Sequence, residues 1–164
     1  MRKFLIILSV LATFSAPPVL GDVNNPGFGN LSEDAKEPII TSSDQMTVDN
    51  ELLQAKLIGN VEIVQGDLFI YADFVRITYA KGQSKIEALF ARDNVILISG
   101  ADRATSNEAD YNLERGTIMM IGNVFVSQDG NTVSADRAEF DIDSGAASIS
   151  GRVKSILTTS SEQD

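Results

Sequence analysis

Gly59-Asn60-Val61 is the first copy of a triplet that returns three more times along the chain. The later copies are Asp93-Asn94-Val95, Gly122-Asn123-Val124 and Gly151-Arg152-Val153. Their starting positions make the last two intervals equal and the first one longer, so the first unit carries an insertion. An internal period of this size indicates a repeating supersecondary unit, which buries its apolar face only by stacking against its neighbours.

The repeated units agree well beyond the triplet when they are aligned without gaps. Apolar residues share positions, and a glycine falls at the same place in each unit. The coincident sets are Val61, Val95 and Val124; Ile63, Leu97 and Val126; Ile77, Tyr111 and Phe140; Tyr79, Leu113 and Ile142; and Gly82, Gly116 and Gly145. The shared glycine predicts a turn that requires positive φ, and the insertion of the first unit follows it at 83–87.

Apolar and polar residues alternate from Ile39 onward, as in Val61-Glu62-Ile63 and in 75–79. Such alternation, with β-branched and aromatic residues, predicts strands with one buried face. Turn signals such as Gln65-Gly66-Asp67 separate the runs. The sequence therefore predicts an all-β fold of about three and a half repeats, each supplying about four short antiparallel strands. No helical period stands out beyond the segment 1–21.

Residues 1–21 read as a secretory signal peptide. Arg2 and Lys3 precede an apolar run at 4–14, and Pro17-Pro18 precede a cleavage position after Gly21. The run is shorter than the roughly 20 residues that span a bilayer, although Val19 and Leu20 leave an uncleaved anchor open. We predict a signal peptide at 1–21, a flexible linker at 22–39, a β-domain at 40–157 and a polar tail at 158–164. The expected location is extracytoplasmic: a bacterial periplasm fits, and so would other extracytoplasmic spaces.

Composition excludes several functions. The chain has 164 residues with no histidine, cysteine or tryptophan, which rules out Ser-His-Asp and Cys-His catalysis and ordinary zinc sites. Cleavage after Gly21 removes two of the 13 basic residues and none of the 23 acidic ones, which leaves a net charge of −12. Such a surface repels nucleic acid. We expect no enzyme activity, no metal and no cofactor.

Carboxylate pairs leave a glycosidase as a distant alternative, with Asp141 and Asp143 or Asp73 and Asp136 as candidates. Asp73 and Asp136 occupy equivalent repeat positions, and Asp141 and Asp143 lie next to a glycine turn. A structural role is therefore the better interpretation. The same holds for the asparagine of each triplet, for which a turn or ladder-capping side chain is favoured over a metal ligand.

The alternating apolar positions define the inward face of the predicted sheet. Two interpretations stay open from residue types alone: a dry core, which is the commoner outcome, or a groove wide enough for alkyl chains. Leu89 and Ala91 stand at the positions that match Ile118 and Met120. The candidate groove-lining residues are Val48, Val61, Ile63, Ile70, Val75, Ile77, Tyr79, Val95, Leu97, Tyr111, Leu113, Ile118, Met120, Val124, Val126, Phe140 and Ile142.

Both ends of the repeat stop in the middle of a unit, so we expect an unpaired strand edge at 39–48 and another at 149–158. Neither edge contains a proline. Head-to-tail pairing with a like fold would cover these edges and continue the interior across molecules.

The repeat resembles the OstA-like domain of lipopolysaccharide-transport proteins over about residues 40–155. The resemblance is carried by the runs 59–66, GNVEIVQG, and 72–79, ADFVRITY, together with 86–91, IEALFA, and Asn94-Val95. Asp93 stands where that family usually has glycine.

The resemblance implies an open, twisted β-jellyroll whose interior holds the acyl chains of lipid A. It also implies edge-to-edge stacking, with itself and with inner-membrane-anchored and outer-membrane proteins of like fold. The chain would thus be a periplasmic lipid conduit. The alternatives are a membrane-anchored component of the same system and a structural β-scaffold without a groove.

Overall fold

The computed structural model describes residues 28–29, 31–82 and 85–158. A single turn of helix precedes ten strands in this part of the chain. The elements are α1 (Leu31–Asp34), β1 (Ile40–Ser42), β2 (Gln45–Asp49), β3 (Gln54–Gln65), β4 (Leu68–Tyr79), β5 (Ile86–Ser99), β6 (Asp102–Asn112), β7 (Thr117–Gln128), β8 (Asn131–Asp141), β9 (Ala147–Ser150) and β10 (Lys154–Ile156).

All ten strands belong to one sheet whose recorded pairings are antiparallel. Strands β3 to β8 follow in chain order; β1 and β2 both pair with β3, and β9 and β10 both pair with β8. Within the described residues the two ends of the sheet do not meet. The prediction of an open all-β fold is therefore confirmed.

The sheet folds over on itself along one line of register shifts. In β3, for example, the pairing with β4 jumps between Ile58 and Val61, and every later pair of long strands has an equivalent shift. Each long strand therefore contributes one half to each of two facing layers. Each repeat supplies two long bent strands, where four short ones were predicted, because the chain passes the bend without leaving the sheet.

We call the two halves layer A and layer B. Layer A contains β2, β9 and the strand halves 54–58, 74–79, 86–92, 108–112, 117–121 and 137–141. Layer B contains β1, β10 and the strand halves 61–65, 68–72, 95–99, 102–106, 124–128 and 131–135. The line of bends between them is the corner of the jellyroll.

The repeated triplets form this corner. Asn60, Asn94, Asn123 and Arg152 all have left-handed backbone conformations, with φ between 46° and 55°, a region that asparagine tolerates better than most residues. The preceding residue also has positive φ, which explains the glycine at three of the four sites. Two consecutive left-handed residues make the bulge that turns each strand from one layer to the other.

Side-chain pairs hold the corner together between neighbouring strands. Their geometry confirms the structural interpretation of the triplet asparagines. The pairs are Asn60 with Asp44 at 2.9 Å, Asn94 with Asp73 at 2.7 Å, Asn123 with Asn107 at 3.4 Å and Arg152 with Asp136 at 2.6 Å. The acceptors recur at the period of the repeat, since each precedes its triplet by a similar length of chain.

The glycines shared between the units behave as predicted. Gly82, Gly116 and Gly145 have φ values of 74°, 62° and 68°. Each lies in a turn at the edge of layer A, on the side of the molecule opposite the corner.

The predicted linker at 22–39 is partly wrong. Phe28 and Leu31 are buried in the hydrophobic core, and α1 precedes β1. These two side chains remove apolar surface from water that the edges of the layers would otherwise expose. The predicted signal peptide, residues 22–27 and the end of the tail from 159 lie outside the described residues. No helix in the described part of the chain is long and apolar enough to cross a bilayer.

Candidate functional site

The space between the layers is the candidate site, because most predicted groove-lining residues point into it. The residues buried there are Val61, Ile63, Ile70, Val75, Ile77, Val95, Leu97, Tyr111, Ile118, Met120, Val124, Val126, Phe140 and Ile142. Tyr79 and Leu113 are partly buried and pack against the same cluster. Val48 lies apart from them, exposed on the edge strand β2.

Several interior residues are absent from the predicted lining. Ala55, Leu57 and Leu68 are buried in the same cluster. The alternating pattern could have identified Ala55 and Leu57, because it continues from Val61 and Ile63 to these residues on the other side of the bend. The two bulge residues, Gly59 and Asn60, leave that period unchanged, so both halves of β3 face inward at odd positions.

The interior is closely packed where the structure describes it. A cavity of about 10 Å³ remains between the layers, room for about one water molecule. Its lining is apolar apart from one hydroxyl and consists of Ile63, Ile70, Val75, Leu89, Ala91, Ala109, Tyr111 and Ile118. The dry-core interpretation describes this closed state, and an alkyl chain would fit only if the layers moved apart.

The side opposite the corner is where the layers can part, because no strand crosses it within the described residues. We call it the mouth. A direct side-chain bond bridges it: the Tyr111 hydroxyl of layer A donates to Gln65 Oε1 of layer B at 2.9 Å. Burial raises the pKa of Tyr111 to about 12, and the negative charge of Asp34 adds to the shift.

Residues of the N-terminal segment cover the mouth. We call Phe28, Gly29 and residues 31–37 the strap. The Phe28 ring packs against Phe140, with centroids 4.6 Å apart, and Asp34 is buried against the turns of layer B. The strap supplies apolar side chains to the interior without belonging to the sheet.

The two ends of the sheet expose apolar side chains along strand edges that no described residue pairs. On the β1–β2 edge these are Ile40, Met46 and Val48; on the β10 edge they are Ile156 and Leu157. Exposed apolar groups on an unpaired edge are typical of a strand that receives another strand.

The two edges also differ in charge. Asp44 and Asp49 are on the first edge, whereas Arg152 and Lys154 are on the second. Asp44 and Arg152 bind corner partners, and Asp49 accepts from the backbone N–H groups of Glu51 and Leu52. These local bonds leave opposite charges on the two edges.

Three of the four candidate carboxylates, Asp141, Asp73 and Asp136, have structural partners. The Ser144 hydroxyl and backbone N–H donate to Asp141, which lowers the pKa of Asp141. Asp73 accepts from Asn94, and the hydrogen bond from Arg152 lowers the pKa of Asp136. The described residues contain no cluster of acidic side chains arranged to hold a metal ion.

A family model and two similar proteins were found for this chain. A family model described as LptA/(LptD N-terminal domain) LPS transport protein matches residues 40–146. An uncharacterised protein of Rhizobium meliloti (strain 1021) is 26% identical over 161 residues, which cover 92% of this chain and 87% of that protein.

The fold is similar to that of a solved structure from Pseudomonas aeruginosa, LptH, described as the LptA-homologous periplasmic component of the lipopolysaccharide transport device. The TM-score is 0.71 at 16% identity, and the match covers 77% of this chain and 99% of LptH. At this identity the likeness concerns the fold, which is the predicted open jellyroll.

Proposed function

The chain belongs to the family of LptA and LptD N-terminal domain lipopolysaccharide transport proteins, and from this premise we propose that it binds the lipid A acyl chains of lipopolysaccharide between layers A and B. Members of this family are transport proteins, not enzymes. The proposed conduit works in the periplasm. It passes lipid by head-to-tail stacking with itself and with inner-membrane-anchored and outer-membrane proteins of like fold.

The observation that carries the proposal is the continuous apolar face between the layers, which extends from β3 to β8. Strong acidity fits this mode of binding. A chain of net charge −10 would repel the phosphates of a glycolipid, so the headgroup stays in water and the acyl chains supply the affinity. Each buried methylene contributes about 0.8 kcal/mol.

Opening is the step that such binding requires, since the closed interior has room for about one water. Ten acyl methylenes would contribute about 8 kcal/mol. Opening breaks the contacts across the mouth, which include the Tyr111–Gln65 hydrogen bond at 2.9 Å. A bond of this kind typically contributes about 1 kcal/mol to stability. Opening of this kind would leave the strand ladders intact, because within the described residues the ladders lie inside each layer and none crosses the mouth.

Photo-crosslinking tests this proposal. A photoreactive residue at the inward position Ile77 should crosslink to lipopolysaccharide, whereas one at Arg76 should not. Arg76 is the matched control on the same strand, since its guanidinium lies over the Phe90 ring at 4.9 Å on the outer face. Equal labelling at both positions, or none at either in a folded protein, would favour the structural scaffold.

The proposed location depends on the predicted signal peptide. N-terminal sequencing of the exported protein should find a start at Asp22. An intact Met1 start would favour the membrane-anchored component of the same system.

A further inference from the structure

We infer that the strap occupies the route by which acyl chains reach the interior, and that lipid binding requires its release. The inference rests on the proposed function and adds a step to it. The strap is a built-in competitor, whose apolar side chains fill space that the lipid would take.

The apolar half of the strap lies inside the jellyroll. Phe28 and Leu31 are 1% and 2% exposed, and the rings of Phe28 and Phe140 contact each other at a tilt of 46°. Both strap side chains belong to the same cluster as the sheet residues of the interior. An alkyl chain entering between the layers would meet the same partners.

The polar half of the strap fastens to the turns of layer B. Asp34 accepts from the Asp67 backbone N–H at 2.7 Å and from the Ser99 hydroxyl at 3.1 Å. Gly29 N–H donates to Asp102 Oδ2 at 2.8 Å. A carboxylate with two donors is well satisfied in a buried place, so the closed state is a defined conformation.

The strap also reaches layer A, and so it ties the two sides of the mouth together. Phe28 N–H donates to the Gly145 carbonyl at 3.3 Å, in the turn between β8 and β9. Gln65 Nε2 donates to the carbonyls of Ala35 and Glu37 at 3.0 Å, while its Oε1 accepts from Tyr111. Gln65 thus joins the strap to the direct bridge between the layers.

The strap can leave without unfolding the sheet. None of its described residues takes part in the strand pairing, and α1 is a single turn. Segments held by a few side-chain contacts open locally at lower free energy than paired strands do. Because lipid binds only the open form, its apparent affinity falls by the fraction of molecules that are open.

A reversible disulfide tests the inference directly, because the chain contains no cysteine of its own. An ideal Cβ at Gly66 lies 3.3 Å from the Cβ of Asp34 and 3.0 Å from its Cα, at a φ of +61°. The backbone must therefore shift by a few tenths of an ångström to reach the separation of about 3.5–4.5 Å found in disulfides, and the Gly66→Cys single variant measures the cost of that strain. The double variant Asp34→Cys/Gly66→Cys should therefore lock the strap when oxidised and free it when reduced. The two single variants are the matched controls.

The readout is equilibrium binding of purified lipopolysaccharide bearing a fluorescent label. Oxidation of the double variant should weaken binding about tenfold or more, and reduction should restore it. Oxidant should not change binding by the wild type or the single variants. Equal affinity of the oxidised and reduced forms would overturn the inference while leaving the proposed function intact. Lack of binding by every form, including the wild type, would overturn both.

A variant that loosens the strap should change lipid affinity in the opposite direction. Leu31→Ala removes a buried side chain from the closed form only, so it should tighten lipid binding severalfold. Leu52→Ala, at an exposed leucine of the turn before β3, is the control and should change nothing. Unchanged or weaker binding by Leu31→Ala, with circular dichroism showing an intact fold, would contradict the inference.

Discussion

Tyr111 and Gln65 face each other across the mouth of the jellyroll, and their hydrogen bond of 2.9 Å joins layer A to layer B. The two residues stand on β6 and β3, which do not pair in the sheet. The bond is therefore a contact between layers. Its strength should be visible in the stability of the protein.

Tyr111→Phe should lower the free energy of unfolding at neutral pH by about 1–2 kcal/mol, because Gln65 Oε1 loses its donor in a buried place. Urea unfolding followed by circular dichroism measures this change. Tyr79→Phe is a control on a partly buried tyrosine and should have a smaller effect. An equally stable Tyr111→Phe protein would show that the bond contributes nothing.

Burial of the same tyrosine predicts that stability depends on pH in the alkaline range. Tyr111 has a pKa raised from 10.0 to about 12, so the folded state holds its proton more tightly than the unfolded state does. This contribution to the free energy of unfolding is fully present below the pKa that Tyr111 has in the unfolded state. It is lost as the pH rises through the pKa of the folded state, by about 2–3 kcal/mol in all. The difference between wild type and Tyr111→Phe should therefore shrink across this range. A constant difference would show that Tyr111 titrates normally.

The repeat made most of the fold predictable. The triplet marks the corner and the shared glycine marks a turn at the mouth, because both positions need backbone conformations that few residues tolerate. The length of the strands was not predictable from these signals. A bulge and a tight turn look alike in sequence, since both place glycine and asparagine together, as at Gly59-Asn60 and at Gly130-Asn131.

The interior could be predicted only in part. Alternation identifies inward residues such as Ile77 and Leu97, but it does not say whether facing layers touch. The strap escaped prediction because Phe28 and Leu31 are isolated among glycine, asparagine and charged residues. One local signal was present: Asn30 followed three positions later by Glu33 is a helix-start pattern. The burial of Asp34 depends on donors that are distant in sequence, Asp67 and Ser99, and so it has no local signal.

Gly59→Ala should destabilise the corner by about 1–2 kcal/mol. At Gly59 φ is +79°, and an added Cβ would lie 2.5 Å from a carboxylate oxygen of Asp44, the residue that binds Asn60. Gly100→Ala is the matched control, since its φ is +58° and the added carbon would meet nothing within 4 Å. Thermal unfolding should show a larger loss for Gly59→Ala; equal losses would show that the clash with Asp44 is unimportant.

Arg152→Asn places at the fourth corner site the residue that stands at the other three. Asparagine tolerates the φ of 46°, so the fold should persist. The Arg152 hydrogen bond lowers the pKa of Asp136, and its loss should raise that pKa toward the ordinary value of 3.8. Because the pKa of Asp136 is lower in the folded state than in the unfolded state, its carboxylate stabilises the protein at pH values above the unfolded-state pKa. This stabilisation is lost as the pH falls through the folded-state pKa. The variant should therefore show less acid-induced loss of stability.

Carboxyl NMR titration of Asp136 measures this change. Lys154→Asn is the control, since it removes a neighbouring positive charge while the Arg152–Asp136 bond of 2.6 Å remains. An Asp136 pKa that is the same in Arg152→Asn and wild type would contradict the assigned cause.

Complementary edge variants test head-to-tail stacking. Val48 and Ile156 are 56% and 65% exposed on opposite ends of the sheet, so Val48→Lys and Ile156→Lys should each stop self-association by placing a charge on one edge. An equimolar mixture should form dimers, because each variant keeps the edge that the other lacks. Phe125→Lys, on an exposed face away from both edges, should associate like the wild type. Sedimentation velocity distinguishes these cases: residual self-association of one variant with no gain on mixing would indicate pairing of like edges, and monomers in every sample would exclude stacking.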